Sequence, residues 1–207
     1  MSRSRTFSAV VLGTLALTLT LAVPARATVM VEVSLEDMTR GADAIVRGTV
    51  TRTGVRVQIG EGHAEPYSVT EIAVSEWLSG HGDDHLTVRE RGGEWQGGGV
   101  WIDGTPHYDA GEEVVLFLER NPNGRDFRTY AMAQGKFEVL RGVPGTPGQV
   151  RRDLEGVAFA HWEGNGMELR DTGGEPAMDL DAFLARIRAV LQTYGDAVGT
   201  DTLGGGR

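Results

Sequence analysis

The chain contains no cysteine. That absence excludes disulfide staples, thiol nucleophiles, zinc–thiolate centres and thiol redox chemistry. Positive charge never clusters beyond neighbours such as Arg151 and Arg152, and the formal net charge is −9. Nucleic-acid binding rests on Lys and Arg neutralising phosphates, so an acidic chain without a basic patch is unsuited to it. No Gly-x-Ser-x-Gly elbow is present to activate a serine. The glycine-rich stretches lack the Lys and Ser/Thr of a phosphate loop. No motif implies a cofactor.

What is present begins with an export signal. Arg3 and Arg5 precede an apolar stretch from Phe7 to Val23, which ends in Val23-Pro24-Ala25-Arg26-Ala27. A positive start, an apolar middle and a small-x-small end predict a secretory leader over residues 1–27, cut after Ala27. The expected location is secreted or periplasmic, with no membrane attachment after cleavage. The leader carries three arginines and no acid, so its removal takes the charge from −9 to −12. The remaining 180 residues are enough for one domain that buries about 70% of its unfolded surface without covalent staples.

Hydrophobic periodicity predicts a mainly β fold. Ser34 can cap a short helix whose first turn holds Glu36 and Asp37, with Gly41 as its stop. Alternation over 44–57, 67–78 and 85–91 predicts three strands, with a loop over 59–66. Gly48 within the first strand predicts a bulge or a close backbone approach. The continuous run Val114-Val115-Leu116-Phe117-Leu118 predicts a strand buried on both faces. Asn121-Pro122-Asn123-Gly124 is a turn, followed by strands over 127–132 and 136–140. Leu180, Phe183, Leu184, Ile187, Val190 and Leu191 recur at helical spacing and predict an amphipathic helix packed on the sheet. The expected organisation is a β-barrel domain over 28–142, a linker and irregular segment over 143–178, a C-terminal helix over 179–194 and a disordered tail over 195–207.

The segment from Gly92 to Tyr108 differs from the rest. It holds six glycines and two tryptophans, and reads as a long exposed loop with a short extended piece at 100–102. Exposed aromatics are frequent interface anchors, so Trp95, Trp101, His107 and Tyr108 are the candidate binding residues. The alternative is that the aromatics fold back and plug the barrel mouth. The metal-like spacing is His81-Gly82-Asp83-Asp84-His85, since imidazole and carboxylate suit divalent ions. That spacing aligns ligands on a helix, whereas Gly82 and the flanking strands place it in a turn. No metal is therefore assigned, although His81, Asp83 and His85 stand as candidate ligands. The paired carboxylates Glu36-Asp37, Asp83-Asp84 and Glu112-Glu113 point opposite ways on a strand, which argues against shared acid–base work. No catalytic residue is assigned.

Several short patterns carry a family likeness. They are Ala42-Asp43-x-x-Val46-x-Gly48-x-Val50, Val74-x-Glu76-x-Leu78-x-Gly80, Gly92-Gly93, Gly111-Glu112-Glu113-Val114-Val115-Leu116-Phe117-Leu118 and Gln134-Gly135-Lys136-Phe137. They resemble a group of exported bacterial proteins of unassigned function, over about half the chain. More distantly the layout is similar to the netrin-like module of tissue inhibitors of metalloproteinases. The resemblance implies a five- to six-stranded Greek-key barrel of the oligonucleotide/oligosaccharide-binding (OB-like) type, with the short N-terminal helix and the C-terminal amphipathic helix as additions. Those inhibitors chelate a protease zinc through an N-terminal cysteine. This chain would begin Thr28-Val29-Met30 and has none, so that mechanism does not carry over. The expected function is an exported, non-enzymatic module that binds a protein or glycan through the aromatic loop. The alternatives are a netrin-like inhibitor directed at a secreted protease, and a metal-dependent hydrolase using His81 and His85 with His63 or His107.

Overall fold

The computed structural model describes residues 28–60, 63–142, 146–154, 157–163, 166–171 and 176–201. The expected leader lies outside the described residues. The fold is mainly β.

Strand β1 (Thr28–Val31) leads into helix α1 (Leu35–Gly41). Ser34 caps α1, its hydroxyl oxygen accepting from Asp37 N–H at 3.1 Å. β2 (Ala44–Gly60) and β3 (His63–Ser79) form a long antiparallel hairpin. β4 (His85–Arg91) comes after it, then the small strands β5 (Gly93–Trp95) and β6 (Gly98–Val100). β7 (Glu113–Arg120), β8 (Phe127–Thr129) and β9 (Lys136–Leu140) come next. β10 (Gln149–Arg151), β11 (Val157–Glu163), β12 (Gly166–Asp171) and β13 (Met178–Asp179) precede helix α2 (Leu180–Asp201).

Eight strands form one sheet in the order β13-β10-β9-β7-β2-β3-β4-β8. β8 has two neighbours: it runs antiparallel to β7 and parallel to β4, where Val88 faces Phe127. A three-stranded sheet, β1-β11-β12, lies apart from it.

β7 explains why the sheet is buried on both faces. Strand side chains alternate, so Val115 and Phe117 point into one cluster and Val114, Leu116 and Leu118 into another. The first cluster takes Met38 from α1 and Phe183, Leu184 and Ile187 from α2. There the rings of Phe117 and Phe137 stand 5.7 Å apart, and those of Phe137 and Phe183 4.5 Å apart. The second cluster joins β2, β3 and β4 through Val46, Val50, Ile72 and Val88. Each such side chain contributes about 1.5–3 kcal/mol on burial. Gly48 sits at a register shift in β2, and a Cβ there would meet the carbonyl oxygen of Ala73 at 2.5 Å. Both features expected of this glycine are therefore present.

Several expectations need correction. The loop expected over 59–66 is largely the far end of the β2–β3 hairpin, with Val57 opposite Pro66 and Ile59 opposite Ala64. Residues 61–62 lie outside the described residues. Pro66 is tolerated because its missing N–H breaks no bond to β2, and its carbonyl accepts from Gly92 N–H at 2.9 Å. The strand expected over 127–132 stops at Thr129, because Ala131 and Met132 adopt left-handed backbones (φ 56° and 58°). The segment expected to be irregular over 143–178 contains β10, β11 and β12. β10 pairs with β9, and β11 pairs in parallel with β1. The tail expected from 195 is helical to Asp201; residues 202–207 lie outside the described residues.

Candidate functional site

A cavity of about 420 Å³ lies where the β2–β3 hairpin meets the segment after β4. Its floor is set by register. Thr53 faces Thr70 and Val55 faces Ser68, which puts these four side chains on one face of the hairpin. Arg91, Gly92 and Gly93 form one wall, and Val100, Trp101, Ile102, Thr105, Pro106 and His107 the other. Thr70 is only 4% exposed.

The expected long loop over 92–108 is corrected in its first half. β5 and β6 pair as a hairpin, with Gly93 opposite Val100 and Trp95 opposite Gly98. The two turn residues, Gln96 and Gly97, both have positive φ (50° and 76°), the geometry of a tight two-residue turn. Gly99 lets the Trp101 indole lie against the backbone, since a Cβ there would come within 3.0 Å of it. Trp101 is 74% exposed and Trp95 43% exposed. His107 is also exposed, with Nε2 3.4 Å from Asp109 Oδ1.

Tyr108 departs from the expectation of an exposed anchor. It is 6% exposed and belongs to the core, forming the cavity floor rather than its rim. Its hydroxyl is 2.6 Å from Thr129 Oγ1. Burial pushes its phenol above the ordinary range, with Glu90 acting in the same direction. Lys136, the only lysine in the chain, holds the floor in place. Its ammonium stands 5.0 Å from the Tyr108 ring centre and donates to the carbonyl of His107. It pairs with Glu112 at 2.6 Å, both side chains being nearly buried. Below them the backbone N–H of Thr129 donates to Glu90 Oε1 at 2.7 Å. Burial raises the Glu90 carboxyl above the usual carboxylate range, against the opposing bonds from Thr129 and the charge of Arg128.

His81 and Asp83 lie on an exposed turn and His85 at the exposed start of β4, and they are not gathered into a coordination shell. The turn is held instead by the Trp77 indole, whose Nε1 donates to the carbonyl of Asp83 at 3.2 Å. His107 sits at the cavity, and the side chain of His63 lies outside the described residues. Among the described residues, no three His, Cys, Asp or Glu are grouped as a metal would require. No described helix is long and apolar enough to cross a membrane. The pair Arg47–Glu113 (2.7 Å) with Arg141 on the second Glu113 oxygen (2.5 Å) ties β2 to β7 and the end of β9. Burial opposes ionisation of Glu113, but the bonds from Arg141 and Arg47 prevail and hold its carboxyl below the ordinary range.

Of the candidate binding residues, Trp101, His107 and Tyr108 line this cavity and Trp95 does not. Thr53, Val55, Ser68 and Thr70 carry no motif. Only the hairpin register places them opposite Trp101. No protein-family model, curated protein or solved structure matches the chain.

Proposed function

We propose that this protein is an exported binding module that recognises a protein or glycan through the cleft bounded by β2, β3, the β5–β6 hairpin and residues 101–108. The observation that carries this reading is the concentration of exposed apolar side chains there. Val55, Val100, Trp101 and Ile102 line the cavity, and Trp95 stands on the adjoining hairpin. Clustered exposed apolar surface rimmed by polar groups marks interaction sites, whereas single exposed residues do not. The setting supports recognition as well. A pinned floor and a tight hairpin hold the indoles ready, which lowers the entropy cost of binding.

The scaffold is read as an OB-like Greek-key barrel. The circuit β2–β3–β4–β8–β7 and back to β2 supports this, because β8 pairs with both β4 and β7. Export is read from the leader.

The test is a screen of peptide and neutral-oligosaccharide arrays with the full exported chain and its Trp101→Ala variant. Binding that disappears in the variant, with an unchanged melting temperature, supports recognition. Binding that is indifferent to Trp101, or no binding on either array, counts against it.

A further inference from the structure

β2 has two edges, and only one is satisfied along its length. On the second edge, residues Ala44 to Thr49 pair with β7. Val50 extends that contact, donating to the Glu112 carbonyl and accepting from Gly111 N–H, both at 2.8 Å. From Arg52 to Gly60 the strand pairs with β3 alone among the described residues.

Pro66 fixes which backbone groups face that open edge. It has no N–H, and its carbonyl accepts from Gly92 on the outer side of β3. The Val57–Pro66 pair is therefore of the non-hydrogen-bonded type, and pair types alternate along an antiparallel ladder. Val55–Ser68 and Thr53–Thr70 are consequently of the same type. The N–H and C=O groups of Thr53, Val55 and Val57 thus point away from β3 into the open edge. By the same alternation the side chains of Thr53, Val55, Val57 and Ile59 share one face, the face that floors the cleft. Natural sheets guard such edges with charges, prolines or short strands. Here the cleft-side face of the edge carries Val55 and Ile59, the latter 85% exposed, while the exposed Arg52 and Arg56 occupy its other face.

We propose that this edge docks an extended polypeptide as an added strand, whose alternate apolar side chains enter the cleft beside Trp101. The charge around the mouth selects the flanks of that polypeptide. Glu94 lines the cavity and is exposed, Asp103 and Asp109 are exposed next in sequence to lining residues, and Arg91 is already tied to Glu65 at 3.3 Å. The exported chain carries −12 overall once the three leader arginines are removed from −9. Lysine or arginine on either side of the apolar residues matches this rim and speeds encounter. This inference rests on the recognition reading proposed for the same cleft.

The probes are short synthetic peptides with alternating Val and Thr flanked by Lys, copies N-methylated at alternate amides, and neutral oligosaccharides. Each is titrated against the full exported chain by fluorescence anisotropy. The expected result is peptide binding that N-methylation abolishes. Ile59→Lys and Val55→Pro should each weaken it about tenfold, the equivalent of roughly 1.4 kcal/mol. Ile59→Lys is a surface change that leaves the fold intact, so a folding defect in Val55→Pro does not blur the outcome. Peptide binding that survives N-methylation and both substitutions overturns strand addition. Oligosaccharide binding that needs Trp101 but ignores Val55 and Ile59 also overturns it, while leaving the recognition reading standing. Loss of both, with binding of no probe, removes the recognition reading itself.

Discussion

The two halves of the long β2–β3 hairpin use the same alternation for opposite ends. In the inner half, Val46, Val50 and Ile72 are sealed between β7 and β4. In the outer half, Val55 and Ile59 keep the same pattern and remain exposed. The difference lies in the neighbours rather than in the residues. β7 covers β2 only as far as Thr49, and β4 covers β3 only from Ser68 to Ala73. Apolar alternation therefore does not distinguish a core from a docking surface; what pairs with the strand decides between them.

Substitutions in the two halves should separate cleanly. The largest effect belongs to Phe137→Ala. Phe137 is fully enclosed between Phe117 and Phe183, so its truncation should cost about 3–5 kcal/mol in chemical denaturation. A loss under about 1 kcal/mol would mean that α2 is not seated on the sheet.

Next comes Lys136→Met, which joins the two regions. It leaves Glu112 without its partner in a nearly buried position. Breaking such a pair costs about 3 kcal/mol or more. It also frees the His107 carbonyl, so amide exchange across 105–109 should quicken more than in β7. Uniform acceleration would show that Lys136 supports the whole core and not the floor of the cleft.

A smaller effect, of opposite sign, is expected at Glu90. Its carboxyl is raised in the folded state, chiefly by burial. A raised folded value means that stability is fully present below the ordinary carboxylate range and declines as pH rises through the raised value. Glu90→Gln cannot titrate and can still accept from Thr129 N–H. The variant should be more stable than the parent at neutral pH, and the difference should vanish in acid. Glu113 runs the other way: its lowered carboxyl gives stability above the ordinary range that is lost as pH falls through the folded value. Denaturation curves at neutral and acid pH distinguish these slopes.

Much of the inner half was legible in the sequence. The alternation in β2, β3 and β4, the run in β7 and the spacing in α2 are local signals, and so is the Ser34 cap. The parts that escaped depend on distant partners. β11 forms beside β1, whose residues lie more than a hundred positions earlier in the chain. Gln134 likewise reaches back to the N-terminal segment, accepting from Val33 N–H at 2.8 Å and donating to the carbonyl of Val31 at 3.0 Å. Pro66 suggested a loop because proline breaks interior strands, yet an edge position accepts it. At the site, Trp95 and Trp101 stood out by composition. Tyr108 did not reveal its burial, because a tyrosine after a glycine-rich segment suits a rim and a floor equally well. Thr70 and Val55 became visible only through the register.

The most direct test is made on the Trp95→Ala/Trp101→Ala double variant, measuring its melting temperature and its retention of array ligands on the same preparation. Surface substitutions of this kind usually change stability by no more than about 0.5 kcal/mol, so the melting temperature should stay near that of the parent while ligand retention is lost. A drop of several degrees with retention intact would show that the indoles serve the fold, and would contradict the account.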